Sequence, residues 1–521
     1  MKKSLFLLCC LIWLTACQDV GIVLPDTPQE SPIPHSYTIS LAEAMGNLSD
    51  FNESEDEISR AENNREIDTV LVVCFNEVLS RGIDKAGTDT VLYVVNYKDN
   101  SGYTILAADK RIIDPVLATV EEGTMDQQSI RRALAVQPSR LVFEGYPTTG
   151  DGFFTTPETG DEIFMNPNTV NLYIEGEDED PLIGNYEDDS QSTSDSHDFF
   201  DEYSVSFENT FVAELCVDYA IFKITSHNDQ TIRSSLDADV LSDGNLGGGT
   251  GGTARPEITT TETEYSQWVH VKTIHPFMLE FKYWNQQSPF NDLYPYRKKA
   301  FIMGNRRKAP AGCVPLSIAK VMTKFSHPSD YSYQNKIINW EALNASYFPN
   351  FSSEANFAAA LLLRSISDKC KSWLFYQGSF TWPGNAEKYM SRQGFLNVHR
   401  RNYNFERASD MIENSKPLII YSFPGINIFK AHCWILDGYK IKSRIKTTKT
   451  YLNNQVIKTE QETEFHNMVH CDFGWKGQAN GYFVSGIFDL RSKDNEFDPG
   501  AETTDGTNYN HHLRVIMYDV P

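Results

Sequence analysis

The stretch that most constrains the fold is a block around one cysteine, Ala309-Pro-Ala-Gly-Cys-Val-Pro-Leu-Ser-Ile-Ala-Lys-Val-Met-Thr-Lys-Phe325. After Cys313 the apolar residues recur at steps of three and four, which predicts a helix that buries one face. Pro310 and Pro315 fit a helix start between them, because proline is tolerated before a helix and in its first turn. Cys313 is then expected at the helix N-terminus, where unpaired N–H groups and the macrodipole favour a thiolate. An ordinary buried cysteine is the alternative, since free cysteines are among the most buried residues.

The start of the chain carries an export signal. Two lysines precede an apolar run, Leu5 to Trp13, that is too short to span a bilayer. The run ends in Leu14-Thr-Ala-Cys17, which resembles a bacterial lipobox, in which the cysteine is lipidated and becomes the new N-terminus. We therefore predict a signal peptide over 1–16, a lipid on Cys17 and a tether over 17–39. The predicted location is the outer membrane or cell surface, or outside the cell after processing, with membrane contact through the lipid only.

Charge divides the chain into two halves. Up to Gly252 there are 14 Lys and Arg against 45 Asp and Glu, a net charge of −31; after it there are 32 against 25, or +7. The boundary is a glycine-rich segment, 243–252, which has the composition of a flexible linker. Opposite charges allow the halves to attract each other, with general solvation of an acidic exported protein as the alternative. The acidic balance argues against a nucleic-acid partner.

The acidic half, residues 40–252, has a compact pattern over about 40–125. Two β-rich runs surround an Asn-Ser-Gly turn at 99–102 and predict a hairpin. A dense acidic, serine-rich run over 175–202 predicts a loop. Residues 203–240 return to β-like and mixed apolar segments. None of these segments carries an obvious catalytic set.

The second half, residues 253–521, carries the candidate chemistry. A helix followed by strands, among them Leu418–Phe423 and Ala431–Tyr439, predicts an α+β domain with a helical part and an antiparallel sheet. Six cysteines follow Cys17 and are scattered without C-x-x-C spacing, so neither a disulfide framework nor a zinc ribbon is predicted. No metal or cofactor is expected.

A thiol nucleophile needs a base, a group that orients the base, and donors for the developing oxyanion. His432, at the head of a predicted strand, is the best candidate base. The competing histidines are His466, His470, His511 and His512. Asp472 can orient an imidazole, and Gln286 can donate to an oxyanion. Nucleophile, base and orienting residue follow one another in the order that papain-like sites allow.

Four sequence blocks in this half resemble the streptopain family of secreted cysteine peptidases, which have a papain-like fold. The matching positions are Trp284, Gln286, Pro289, Phe290 and Asn291; Gly312, Cys313, Val314, Ala319 and Met322; His432, Trp434, Ile435, Asp437, Gly438 and Tyr439; and Asp472-Phe-Gly-Trp-Lys-Gly477 with Gly481-Tyr-Phe483. Together the blocks cover about 260–521. The resemblance implies a peptidase whose oxyanion hole contains Gln286 and the Cys313 N–H, with Trp475, Gly312 and Ala431 beside the substrate.

The chain departs from the family pattern at four positions. Ala431 replaces the glycine before the histidine, and Phe473 replaces a tryptophan that shields the histidine from water. Asp472 stands where the family has asparagine; it can still accept from an imidazole N–H and favours the charged ring, so activity is expected to survive. Lys476 replaces a glycine beside the cleft and is expected to affect substrate choice.

The front half also resembles the family's inhibitory prodomain, chiefly at Leu92–Val116. This implies a zymogen, in which the propeptide 40–252 covers the cleft until the chain is cut at roughly 240–265. The resemblance gives no role to residues 126–240. The predicted function is an exported, lipid-anchored cysteine endopeptidase that is made as a self-inhibited zymogen and acts on proteins or peptides.

Two other functions are left open by the sequence. The same Cys-His-Asp set serves other amide chemistry, such as cell-wall peptide hydrolysis or transglutamination. The chain can also be a non-catalytic surface lipoprotein that binds or inhibits a protease.

Overall fold

The computed structural model describes residues 37–53, 65–74, 90–135, 153–155, 162–164, 208–224, 259–298, 306–376, 378–422, 431–453, 455–488 and 513–521. Several predictions lie outside these residues: the signal peptide, Cys17, the tether up to residue 36, the acidic run 175–202, the linker 243–252, and His511 and His512. Among the described residues, no helix is both long and apolar enough to cross a membrane.

One antiparallel sheet runs through both halves of the chain. Its strands, in spatial order, are Ile67–Cys74, Thr90–Tyr97, Tyr103–Ala107, Val116–Val120, Gly481–Val484, Gln455–Asp472, His432–Leu452, Leu418–Ser422, Arg514–Asp519 and Leu396–Asn402. Two further strands pair with His432–Leu452: Val269–Ile274 with its middle and Thr259–Tyr265 with its C-terminal part. The predicted hairpin is confirmed, because Thr90–Tyr97 and Tyr103–Ala107 pair across the 99–102 turn.

The two halves meet where strand Val116–Val120 pairs with strand Gly481–Val484. Gly481 lies opposite Val120, and a Cβ at this glycine would lie 2.1 Å from the Thr119 carbonyl oxygen. Only glycine therefore allows the strand of the front half to approach so closely. The sheet of the second half thus continues into the front half by main-chain hydrogen bonds.

The helices pack around this sheet. They are Leu41–Glu53, Gln127–Ala135, 208–224, Cys313–Phe325, Trp340–Ala345, Ser353–Lys369, Pro383–Arg392 and Phe405–Glu413. Short strands form the pairs Phe153–Thr155 with Glu162–Phe164, Tyr296–Lys298 with Arg306–Lys308, Ser332–Tyr333 with Lys336–Ile337, and Trp373–Leu374 with Ser379–Phe380. Asn339, Ser352 and Asn404 cap three of the helices by accepting a backbone N–H. The predicted α+β class is confirmed: a helical part and an antiparallel sheet, preceded by a front half that also contains helices and strands.

One prediction in the front half is wrong. The composition of 203–240 predicts β-like and mixed apolar segments, but residues 208–224 form a helix. Phe211, Leu215 and Tyr219 recur every four residues and are all buried. This spacing is helical and outweighs the β-preference of the individual aromatic and branched side chains.

Candidate active site

The nucleophile candidate begins a buried helix, as its sequence predicts. Cys313 is the first residue of the helix Cys313–Phe325 and is partly exposed, while the residues from Val314 to Thr323 are buried. The residue before it, Gly312, has φ +91°, a conformation that side chains rarely adopt. A Cβ at Gly312 would also lie 3.2 Å from the Ser379 side chain. Glycine thus sets the sharp turn by which the chain enters the helix.

The charge state of Cys313 differs from the expectation of a thiolate. Burial raises the pKa of its thiol to about 11, although the backbone N–H groups of Cys433, Val314 and Cys313 itself act to lower it. Loss of hydration disfavours the charged form, and here it outweighs the helix N-terminus. In this state the thiol is therefore protonated at neutral pH.

The structure brings the candidate base to the nucleophile. His432 begins the strand His432–Leu452, and the N–H of the next residue, Cys433, reaches the Cys313 sulfur. A second contact joins the same strand to the helix, since the Cys433 Sγ lies 3.6 Å from the Ser317 Oγ. The two predicted residues thus lie on facing elements at one place in the fold.

The hydrogen bond of His432 defines which ring nitrogen can act as a base. Its Nε2 lies 3.1 Å from the backbone carbonyl oxygen of Phe473, and because a carbonyl only accepts, Nε2 carries the proton. Burial lowers the pKa of His432 to about 3, so the ring is neutral. Nδ1 is then the unprotonated nitrogen, and it is the atom that can accept a proton from a thiol.

Aromatic side chains enclose the His432 ring. Trp475 stacks on it with ring centroids 4.4 Å apart and planes 20° apart. Phe473 stacks at 6.0 Å, and Phe211 meets the ring edge-on at 5.9 Å. Phe211 also lies 5.4 Å from the ring centroids of both Phe473 and Trp475.

The helix 208–224, which carries Phe211, therefore closes this side of the site. It belongs to the segment 126–240, to which the family resemblance gives no role. The four-residue spacing of Phe211, Leu215 and Tyr219 is the sequence signal that indicates a helix there. Which surface that helix covers is not visible in a local pattern.

Asp472 lies beside the candidate base with other partners. Its Oδ2 is 2.6 Å from the Lys320 Nζ, and both side chains are almost fully buried. Its Oδ1 accepts from the Gly474 N–H at 3.1 Å and from the Asn480 Nδ2 at 3.2 Å. The group that meets His432 Nε2 is the carbonyl of Phe473, so an orienting contact from the Asp472 carboxylate stays a prediction.

The other predicted site residues lie along the same region. Gln286 is partly exposed, and its backbone carbonyl accepts the Ala311 N–H at 2.9 Å, which places the 284–291 loop against the chain that leads into Cys313. Ala431 directly precedes His432 and is partly exposed. The roles of Gln286, Gly312, Ala431 and Trp475 toward a substrate stay predictions. Within the described residues, no group of three or more His, Cys, Asp or Glu is arranged to hold a metal ion.

Two of the competing histidines lie at the contact with the front half. His466 is fully buried, and its Nε2 lies 2.9 Å from the Val116 carbonyl oxygen. His470 lies between Asp437, 2.5 Å from its Nδ1, and Glu121, 3.1 Å from its Nε2. Burial acts to lower the pKa of His470, but these two carboxylates raise it to about 10. A ring that stays charged at neutral pH cannot serve as a base there.

Replacing Glu121 with glutamine is expected to weaken the contact by about 2 kcal/mol, because a charged hydrogen bond from the buried His470 to a partly exposed carboxylate is lost. The raised pKa of His470 contributes stability that is complete below the ordinary pKa of 6.5 and is lost as the pH rises through about 10. Glu121→Gln is therefore expected to lower the free energy of unfolding at pH 7 and to move the alkaline loss of stability to lower pH. Urea titrations of the full chain between pH 6 and 11 measure both changes.

Glu122→Gln is the matched control for this prediction. Glu122 binds Lys282 at 2.8 Å and the Tyr283 hydroxyl at 3.1 Å, so its replacement leaves the partners of His470 in place. If the free energy of unfolding of Glu121→Gln fell at the same alkaline pH as that of the original chain, the role given to the Glu121–His470 pair would be contradicted.

Comparisons with known proteins agree with the site. A cysteine at a helix start beside a strand that begins with a histidine is the arrangement expected of a cysteine-type peptidase. Residues 284–483 match the model of the peptidase C10 family, and residues 50–137 match that of the Spi protease inhibitor. These matches show a cysteine-type endopeptidase region of the peptidase C10, or streptopain, kind, preceded by a segment that resembles a protease inhibitor. The resemblance seen in the sequence is thereby confirmed.

Solved structures similar to this chain include two forms of one protease from Prevotella intermedia. A prointerpain A fragment is 13% identical with a TM-score of 0.40, and the match covers 87% of this chain and 100% of that chain. Active interpain A cysteine protease is 17% identical with a TM-score of 0.31, and the match covers 47% of this chain and 95% of that chain. A search of curated proteins found no match.

Proposed function

We propose that this chain is an exported, lipid-anchored zymogen whose Cys313 and His432 hydrolyse peptide bonds. The observation that supports the proposal is that the strand start at His432 meets the helix start at Cys313, where the N–H of Cys433, the residue after His432, reaches the Cys313 sulfur. The lipid anchor rests on the lipobox-like Leu14-Thr-Ala-Cys17. Its substrates are proteins or peptides.

The chemical steps proposed for the opened site start from the tautomer of His432, in which Nε2 carries the proton and Nδ1 is free to accept one. His432 Nδ1 takes the proton of the Cys313 thiol, and the thiolate attacks the carbonyl carbon of the scissile peptide bond. The Cys313 N–H and the Gln286 side chain stabilise the oxyanion. The imidazolium, oriented by Phe473 or Asp472, gives its proton to the leaving amine. Water then attacks the acyl-enzyme with His432 as base, which releases the acid product and restores the thiol.

We further infer that the helix 208–224 keeps the zymogen inactive. With Phe211 against His432, the thiol is protonated and the imidazole is neutral, so the ion pair that starts the reaction does not form. Removal of the helix 208–224 returns water to the site and moves both pKa values toward their ordinary range. Cleavage of the chain between this helix and the strand Thr259–Tyr265 allows that removal without cutting a strand of the peptidase sheet.

Covalent labelling tests the proposed function. The full chain is incubated alone or with a trace of a serine protease that is then quenched, and casein hydrolysis is followed. A peptidyl epoxide is expected to stop hydrolysis at one equivalent, and peptide mass spectrometry is expected to find it on Cys313. Cys370, another free cysteine that is fully buried, is the internal control. A label elsewhere, or full hydrolysis after complete labelling of Cys313, would show that another group is the nucleophile.

A further inference from the structure

A buried ion pair joins the nucleophile helix to the turn beside His432. Lys320 lies about two turns after Cys313 on the same helix, and its Nζ is 2.6 Å from the Asp472 Oδ2. The side chains are 1% and 3% exposed. Two buried charges lose hydration that their attraction only partly offsets, so such a pair is weak evidence of a stabilising role. Its position suggests another role.

The second oxygen of Asp472 holds the backbone of the following turn. Oδ1 accepts from the Gly474 N–H and from the Asn480 Nδ2, and the Asn480 Oδ1 in turn accepts from the Phe473 N–H at 3.0 Å. Gly474 has φ +74°, and a Cβ there would lie 2.6 Å from Leu316 on the nucleophile helix. Hydrogen bonds and close packing against Leu316 therefore both fix the conformation of the 472–475 turn.

This turn carries the two groups that fix the imidazole. The Phe473 carbonyl oxygen accepts a hydrogen bond from His432 Nε2, and the Trp475 ring stacks on the imidazole. We propose that Lys320 is a positioning residue for His432, acting through Asp472 and the 472–475 turn. The proposal rests on the proposed function, since it assigns how the base of that reaction is held.

The donors around Asp472 explain why the pair has to be charged on both sides or on neither. Gly474, Asn480 and Lys320 all present N–H groups to residue 472, and a carboxylate accepts from all of them. An asparagine there offers one oxygen, so its NH₂ must face either Lys320 or the Gly474 and Asn480 donors. With glutamine at 320, that NH₂ can donate to the glutamine oxygen while Oδ1 still accepts from Gly474 and Asn480.

A mutant cycle in the activated full chain tests the proposal. Lys320→Gln and Asp472→Asn are each expected to lower kcat at least about tenfold with KM changed less than about threefold, and the double variant is expected to recover to within about threefold of the original kcat. The acidic limb of the kcat/KM pH profile, which reports His432, is expected to shift in the single variants and return in the double. Lys324→Gln is the matched control, because Lys324 lies on the same helix but binds Glu280 in a more exposed pair.

A longer carboxylate separates positioning from folding. Asp472→Glu keeps the charge opposite Lys320, but its shifted oxygens lose the Gly474 and Asn480 contacts, so kcat is expected to fall in a variant that still folds; circular dichroism and the melting temperature measure folding separately. Full kcat in Lys320→Gln or in Asp472→Glu, or a double variant no better than the single ones, overturns the proposal. Full activity in Cys313→Ala would instead overturn the proposed function, so the two failures are distinguishable.

Discussion

Replacing Cys313 with alanine in the full chain is expected to abolish both self-processing and casein hydrolysis. Without a sulfur there is no acyl-enzyme, and kcat is expected to fall by on the order of 10⁴-fold or more, the size of effect seen when a nucleophile is removed. The fold should persist, because the side chain lies at the helix start, is partly exposed, and loses a single sulfur atom. Gel analysis of the full chain over time, together with fluorescent casein, measures both activities.

Cys370→Ala is the matched control for this experiment. Cys370 is a buried free cysteine whose Sγ lies 4.0 Å from the Asn385 carbonyl oxygen, and its loss is expected to leave kcat within a few fold of the original value. The melting temperature of this variant measures any loss of stability separately from kcat. Hydrolysis by Cys313→Ala at the rate of the original chain would mean that the peptidase reaction uses another residue.

The helix start at Cys313 and the strand start at His432 were predictable from sequence because each lies in a local pattern. Helical spacing after Cys313 indicates a helix that starts at the thiol, and the apolar run after His432 indicates a buried strand. The hairpin around 99–102 was predictable for the same reason, since its turn residues mark it. These features depend on neighbours in the chain, which a single sequence displays.

The contacts that set the chemical state of the site were not predictable in this way. Lys320 and Asp472 are 152 positions apart, and nothing in either local pattern indicates that they meet. The helix start at Cys313 favours a thiolate, but burial decides the pKa, and burial depends on segments that are distant in sequence. The same holds for Phe211, whose helical spacing is visible but whose place against His432 is not.

Replacing Phe211 with alanine is expected to open the zymogen. The side chain is 2% exposed and packs on His432, Phe473 and Trp475. The Phe211 ring is buried in the closed form, in which the helix 208–224 covers the site, and is exposed in the open form. Its truncation therefore destabilises the closed form relative to the open form by about 3 kcal/mol. The equilibrium shifts toward the open form on the order of a hundredfold. Alkylation of Cys313 by iodoacetamide at pH 7 is expected to accelerate accordingly, because the open form has the more acidic thiol and the more basic imidazole. Self-processing is expected to accelerate with it.

Phe222→Ala provides the control on the same helix. Phe222 lies about three turns from Phe211 and is only partly buried, so its truncation changes helix packing without removing the ring that faces His432. Adding Cys313→Ala to Phe211→Ala is expected to abolish the accelerated self-processing, which separates opening of the site from increased cleavage by a contaminating protease. Equal alkylation rates in Phe211→Ala and Phe222→Ala would mean that Phe211 does not hold the site closed. A rate increase confined to Phe211→Ala would mean that a single aromatic contact with His432 controls access to Cys313.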